Sequence, residues 1–309
     1  MTKPRIGLAL GSGSARGWAH IGVIQALREE GIEPDIICGC SIGALVGGCY
    51  CSGRLDSLEQ WVRGLGFWDV VKLFDVRMAG GLIEGDSLMA AFEDKLQNTR
   101  IEQLDKTFAC VATDLQSGRE IWLQQGPLRQ AVRASIALPG LFSPVKLDGR
   151  WLLDGGLTNP VPVSLCRAMG AEIIIAVNLN SDIVGRHIKK HQRPLESPNN
   201  KRDQALLDQL VGKLNGSLQE TRLGAWANKK LRNREDGPGV FDVVASSINI
   251  MQDRITKSRM AGDPPDAILT PRLGKLGLLE FDRADEAIAE GQDSVRRSIR
   301  TLQPLLERQ

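Results

Sequence analysis

The spacing of apolar positions along this chain changes period several times, and each change predicts an element. Short apolar runs of strand length occur at "RIGLAL", "PDIICG", "FACVATDL" and "AEIIIAVNL". They are too short for helices and too continuously apolar for strands with one face in water, so they read as buried strands. Between the first two lies "GWAHIGVIQALREEG", with Ile21, Ile24 and Leu27 at helical spacing and a stopping glycine at Gly31. "SIGALVGGCYCSG" opens a second helix directly from the second strand. Strand, helix, strand, helix at this spacing predicts an α/β fold, a mainly parallel sheet with helices on both faces.

Further along, residues 55–97 read as mostly helical. They carry the aromatic cluster "WVRGLGFWDVVKLF" and the loop "AGGLIEGDSL". "SGREIWLQQG" is expected to pair beside "FACVATDL", and "PLRQAVRASIALPG" starts on proline as helices often do. "PVKLDGRWLLDGG" reads as a hairpin, because Asp148-Gly149 is a favoured two-residue turn between apolar arms. From Ser181 to about Gly239 the chain turns polar, basic and proline-broken, a surface excursion with one modest helix at 203–232. In "FDVVASSINIMQDRITKSRMAG" Val244, Ile248, Met251 and Ile255 recur at helical spacing, which predicts core packing. "DAILTP" is a late strand and "ADEAIAEGQDSVRRSIRTLQPLLERQ" a closing helix. With no repeat and no clean linker, residues 5–305 are expected to form a single domain with a helical C-terminal third, 181–240 being an irregular excursion within it.

Composition narrows the function. A formal charge of +2 over 309 residues does not suggest a nucleic-acid binder. The six cysteines at 38, 40, 49, 51, 110 and 166 lack zinc-site spacing and sit in apolar segments, as free thiols of a reducing compartment do. No secretory leader is visible and no run reaches the roughly 18 apolar residues of a spanning helix. The expectation is a cytoplasmic protein that at most touches the inner membrane surface peripherally. Leu65, Phe67, Trp68, Val71 and Phe74 could form an apolar lip or simply core. Arg186, Lys189, Lys190 and Arg193 could meet anionic headgroups or form a solvated loop.

Three stretches carry candidate chemistry. Gly39-Cys40-Ser41-Ile42-Gly43 has the Gly-x-Ser-x-Gly form between a strand and a helix. A sharp turn there exposes a serine nucleophile and needs small residues on both flanks, and the Ile42 N–H is positioned to contact an oxyanion. Gly11-Ser12-Gly13-Ser14-Ala15-Arg16-Gly17 follows the first strand. It could be a dinucleotide fingerprint, but the third glycine comes one residue late, with Arg16 in its place. It could equally be an oxyanion loop whose N–H groups near Gly13 and Ser14 face developing charge. In a parallel sheet both turns open at the carboxyl edge, so they would be neighbours. Proton acceptors for Ser41 are few. His20 alone of three histidines is near, and a lone histidine on a packed helix is more often structural. A carboxylate is the alternative: Asp154, followed by Gly155 and Gly156, or Asp114, which lacks such flanks. A free aspartate is a weak base, but burial would raise its basicity.

Taken together, "GSGSARG", "GCSIG" and "DGG" in this order, with "ASIALPGLFSPV" and "DGGLTNPVPV", resemble the patatin-like phospholipases. "SRMAGDPPDAIL" resembles their small bacterial RssA-type branch. The resemblance implies a patatin-like three-layer fold. It implies a serine esterase acting on lipid esters, of phospholipase A or lysophospholipase type, without metal or organic cofactor. It further implies Ser41 as nucleophile, Asp154 as proton acceptor, and an oxyanion loop at Gly11, Gly13, Ser14 and Arg16. Ser14 stands where many members of the family have a glycine, though a serine still supplies the N–H. The rival readings are a non-catalytic binder of lipid or protein on the same fold, and a dinucleotide-binding oxidoreductase.

Overall fold

The computed structural model describes residues 3–73, 99–139, 141–181 and 240–306, together with Ala91 and Leu96. Eight strands form one mixed sheet: β1 (Ile6–Leu10), β2 (Ile36–Cys40), β3 (Thr107–Asp114), β4 (Glu120–Leu123), β5 (Val145–Leu147), β6 (Arg150–Asp154), β7 (Ile173–Val177) and β8 (Ala267–Leu269). The order is β5-β6-β3-β2-β1-β7-β8, with β4 paired to β3. The strands β3, β2, β1, β7 and β8 run parallel. Every residue of β1, β2 and β7 is buried, which is why these strands carry continuous apolar runs. The described helices are α1 (Ala19–Glu29), α2 (Ile42–Cys51), α3 (Leu55–Arg63), α4 (Phe67–Leu73), α5 (Leu128–Ser135), α6 (Val163–Ala168), α7 (Val240–Gly262) and α8 (Ala284–Leu306).

Strand alternation feeds two cores. Leu8, Leu10, Ile37, Phe108, Cys110, Ile175 and Val177 point to the face covered by α1, α2, α3, α5 and α8. Ala9, Ile36, Cys38, Ala109, Val111, Ile174 and Ala176 point to the other face, against α6 and Met260 of α7. The predicted hairpin is β5–β6, closed by Asp148 at φ 48° and Gly149 at φ 77°, the left-handed pair of a type I′ turn. All six cysteines are buried free thiols. None of the described helices is long and apolar enough to cross a membrane.

One joint sets up the rest of the molecule. β3 pairs its first half with β2, Val111 lying opposite Cys40. Its last residues pair with β6, Ala112 lying opposite Asp154. β4 spans Cys110–Thr113 and so takes the other edge of β3. β2 and β6 therefore share one edge of β3 and meet there end to end, each by its C-terminus.

One expectation is corrected. In α7 Met251 is 49% exposed and Ile250 50%, while Ile248 and Ile255 are only partly buried. The buried face is the polar stripe Asn249, Gln252, Asp253 and Thr256, of which Asn249 and Gln252 bond to Arg16, Ser12 and Asn180 at the sheet's carboxyl edge. The side chain of Val244 lies outside the described residues. Of the residues read as an apolar lip or as core, Leu65 is buried, Phe67 packs on the core and Trp68 turns outward. Phe74 and the side chain of Val71 lie outside the described residues. So do the loop 79–88, the 203–232 helix, and the basic cluster of Arg186, Lys189, Lys190 and Arg193.

Candidate active site

Ser41 sits on the sharp turn from β2 into α2, with φ 56° and ψ −123°. A non-glycine residue held at positive φ is strained, and the strain lifts its side chain clear of the sheet. The turn closes because its flanks are bare. A Cβ on Gly43 would overlap the Leu10 carbonyl, and one on Gly39 would overlap the backbone of Ala44. The Ser41 N–H donates to Ser135 Oγ at 2.9 Å, from the end of α5. The first N–H groups of α2, at Ile42 and Gly43, have no hydrogen-bond partner among the described residues, as expected of a helix N-terminus.

At the tip of β6, Asp154 meets Ser41. Ser41 Oγ donates to Asp154 Oδ2 at 2.6 Å. The other carboxylate oxygen, Oδ1, accepts the Gly156 N–H at 2.7 Å. The backbone is pinned as well: Asp154 N–H donates to the Ala137 carbonyl, and Thr113 Oγ1 donates to the Asp154 carbonyl. Asp154 is 1% exposed. Burial pushes its carboxyl up from 3.8 to about 6, against the two donated hydrogen bonds that pull it down. Such a carboxyl is mostly ionised at neutral pH, yet basic enough to take a proton from a bonded hydroxyl. Gly155 packs on the Val111 carbonyl and admits no Cβ there.

The first loop lies against this turn, since Gly43 packs on Leu10 and Gly11. Its Gly11 and Ser12 N–H groups are spent on the carbonyls of Val177 and Pro160. Those of Gly13 and Ser14 have no partner among the described residues. Ser14 has φ 53°, a conformation natural to glycine, and its hydroxyl bond to the Leu278 carbonyl at 2.7 Å holds it there. Arg16 is buried, and its Nε donates to the Gly13 carbonyl at 3.1 Å. Burial pulls the Arg16 guanidinium down to about 9, so it remains a cation at neutral pH.

The other described acceptor candidates bond groups other than Ser41 Oγ. His20 Nε2 donates to the Gly11 carbonyl at 2.7 Å, leaving Nδ1 buried and unpartnered. Burial lowers its pKa from 6.5 to about 4, against that bond, so the ring is a neutral brace of the loop. Asp114 Oδ1 accepts the N–H groups of Ser117 and Gln116, and these hold its carboxyl below its usual range. His187 and His191 lie outside the described residues. Among the described residues no group of three or more His, Cys, Asp or Glu could hold a metal ion.

Sequence reasoning passed over Ser135, Ala137, Asn249 and Gln252. The first two lie in "ASIALPG", which reads simply as a helix and its stop. The last two lie on a face that the apolar period assigns to solvent.

The α/β fold thus presents a strained serine between bare glycines, bonded to a buried carboxylate and beside N–H groups that have no partner among the described residues. A model of the patatin-like phospholipase family matches residues 8–167. An uncharacterized NTE family protein of Mycobacterium tuberculosis is 35% identical, across 94% of this chain and 90% of that protein. The chain belongs to the patatin-like phospholipase family. The neuropathy target esterase sws of Drosophila melanogaster is 33% identical over 188 residues, 59% of this chain and 13% of that protein. VipD from Legionella pneumophila shares the fold at a TM-score of 0.55 and 16% identity, over 98% of this chain and 67% of that one. This membership supports lipid hydrolysis as the activity.

Proposed function

We propose that this chain is a carboxylic ester hydrolase of the phospholipase A or lysophospholipase type, working through a Ser41–Asp154 dyad. The observation that carries the reading is the 2.6 Å bond from Ser41 Oγ to a fully buried carboxylate whose pKa stands near 6. Ser41 Oγ attacks the ester carbonyl as its proton passes to Asp154 Oδ2. The N–H groups of Gly13, Ser14 and Ile42 donate to the oxyanion of the tetrahedral intermediate, and Arg16 holds the loop through the Gly13 carbonyl. On collapse the alcohol leaves with the proton from Asp154. Water then attacks the acyl-enzyme, giving its proton to Asp154, and the acid departs as Ser41 is reprotonated. His20 takes no proton in this scheme.

The test is labelling with a fluorophosphonate, alongside hydrolysis of a phospholipid, a lysophospholipid and short p-nitrophenyl esters. Label should attach to the native chain and not to Ser41→Ala, and Ser41→Ala should lose at least about 10³-fold in kcat. Equal labelling of both proteins, or hydrolysis by Ser41→Ala at the native rate, refutes the reading.

A further inference from the structure

Helix α7 lies beyond the residues that the family model matches, yet its buried face reaches both halves of the site. Asn249, Gln252, Thr256 and Arg259 follow one another at helical spacing. Asn249 Oδ1 accepts Arg16 Nη2 at 3.1 Å, and Arg16 in turn holds the Gly13 carbonyl. Gln252 Oε1 accepts Ser12 Oγ at 3.0 Å and Asn180 Nδ2 at 3.1 Å. The Gln252 amide nitrogen occupies the space where a Cβ at Gly156 would stand, and Gly156 donates to Asp154. Two turns further along, Arg259 donates to the Thr158 carbonyl at 2.8 Å and pairs with Glu120, closing the loop that follows Asp154.

We infer that Gln252 is a positioning residue that fixes the oxyanion loop relative to the Asp154 turn. It touches both loops with one amide and is 6% exposed, so its two accepted bonds have little competition from water. The bonds of Ser12 and Asn180 converge on a single oxygen, which sets where the backbone at Gly13 and Ser14 points. Gly156 is bare because this amide fills its place. Asn249 performs the parallel task through Arg16. The polar, inward face of α7 thus braces the first loop against the turn that follows Asp154.

The inference rests on the acyl-transfer reading above, and its test separates the two. Gln252→Met keeps the length and removes the acceptor, whereas Gln252→Glu keeps the acceptor. On a short p-nitrophenyl ester, Gln252→Met should lose about 10- to 100-fold in kcat with KM within about threefold, because misplaced donors act on the transition state. Its thermal midpoint should stay within about 3 °C of the native chain. Gln252→Glu should recover most of that kcat and move the acid limb of its pH profile upward, since a second carboxylate then faces Asp154. Ser12→Ala should lose kcat in the same way, and combining it with Gln252→Met should cost less than the product of the two losses.

Native kcat in Gln252→Met overturns the inference. So does a loss that Gln252→Glu does not restore. Should Gln252→Met fail to fold, Ser12→Ala with Gln252→Glu decides, and native kcat in Ser12→Ala overturns the inference. If Ser41→Ala keeps its activity, the catalytic reading itself fails, whatever Gln252 does.

Discussion

Burial of Asp154 makes activity and stability respond to pH in opposite senses, and Asp154→Asn exposes both. The folded carboxyl titrates at about 6 and the ordinary one at 3.8. The folded protein therefore binds this proton more tightly than the unfolded chain between those values. Stability from this group is complete below the unfolded pKa and is lost as pH rises through about 6. The shift of roughly two units corresponds to ~3 kcal/mol, of which about half is already lost at pH 5 and nearly all at pH 8. Asparagine occupies the same volume, its Oδ1 can still accept from Gly156, and it carries no charge to desolvate. The variant should be more stable than the native chain by ~3 kcal/mol at pH 8 and by about half that at pH 5. For a chain of this length that is a rise in thermal midpoint of about 4 °C at pH 8. Esterase activity should be lost by at least about 10³-fold, and the native kcat/KM should fall below pH 6 with a single ionisation. Thermal melts of both proteins at pH 5 and pH 8, beside a pH–rate profile of the native chain, check this. An Asp154→Asn protein less stable than native at pH 8, or a native profile flat through pH 6, would refute the reasoning.

Two further outcomes follow from the same site. His20→Gln keeps a donor for the Gly11 carbonyl and should hold kcat within about threefold, where loss of a general base would cost at least about 10²-fold; steady-state kinetics decides. Gly43→Ala drives a methyl into the Leu10 carbonyl and should destabilise the fold by about 1–3 kcal/mol, measured by urea unfolding.

The elements were legible along the chain wherever their cause was local. Strands β1, β2 and β7 are continuous apolar runs because both their faces are covered. The β5–β6 turn follows from Asp148-Gly149, and the bare flanks of Ser41 mark its turn. The buried face of α7 was not legible. Its apolar residues keep helical spacing, but which side turns inward depends on what it meets, and at Asn249 and Gln252 it meets Arg16, Ser12 and Asn180. Gln252 is buried with its partners supplied, and those partners lie far away: Ser12 and Gln252 are 240 positions apart. Ser135 was missed for the same reason, since nothing local distinguishes it from any other helix-end serine.

Sequence alone determined the alternation of strands and helices, the strained turn at Ser41, the glycine loop before α1 and a carboxylate ahead of two glycines. Each of these depends on backbone preferences within a few residues. Only the tertiary structure decided that Ser41 and Asp154, 113 positions apart, form one hydrogen-bonded pair. That pairing arises because β2 and β6 end against each other on a single edge of β3. The same enclosure strips water from Asp154 and raises its basicity, a property that no local pattern carries because desolvation belongs to the assembled core.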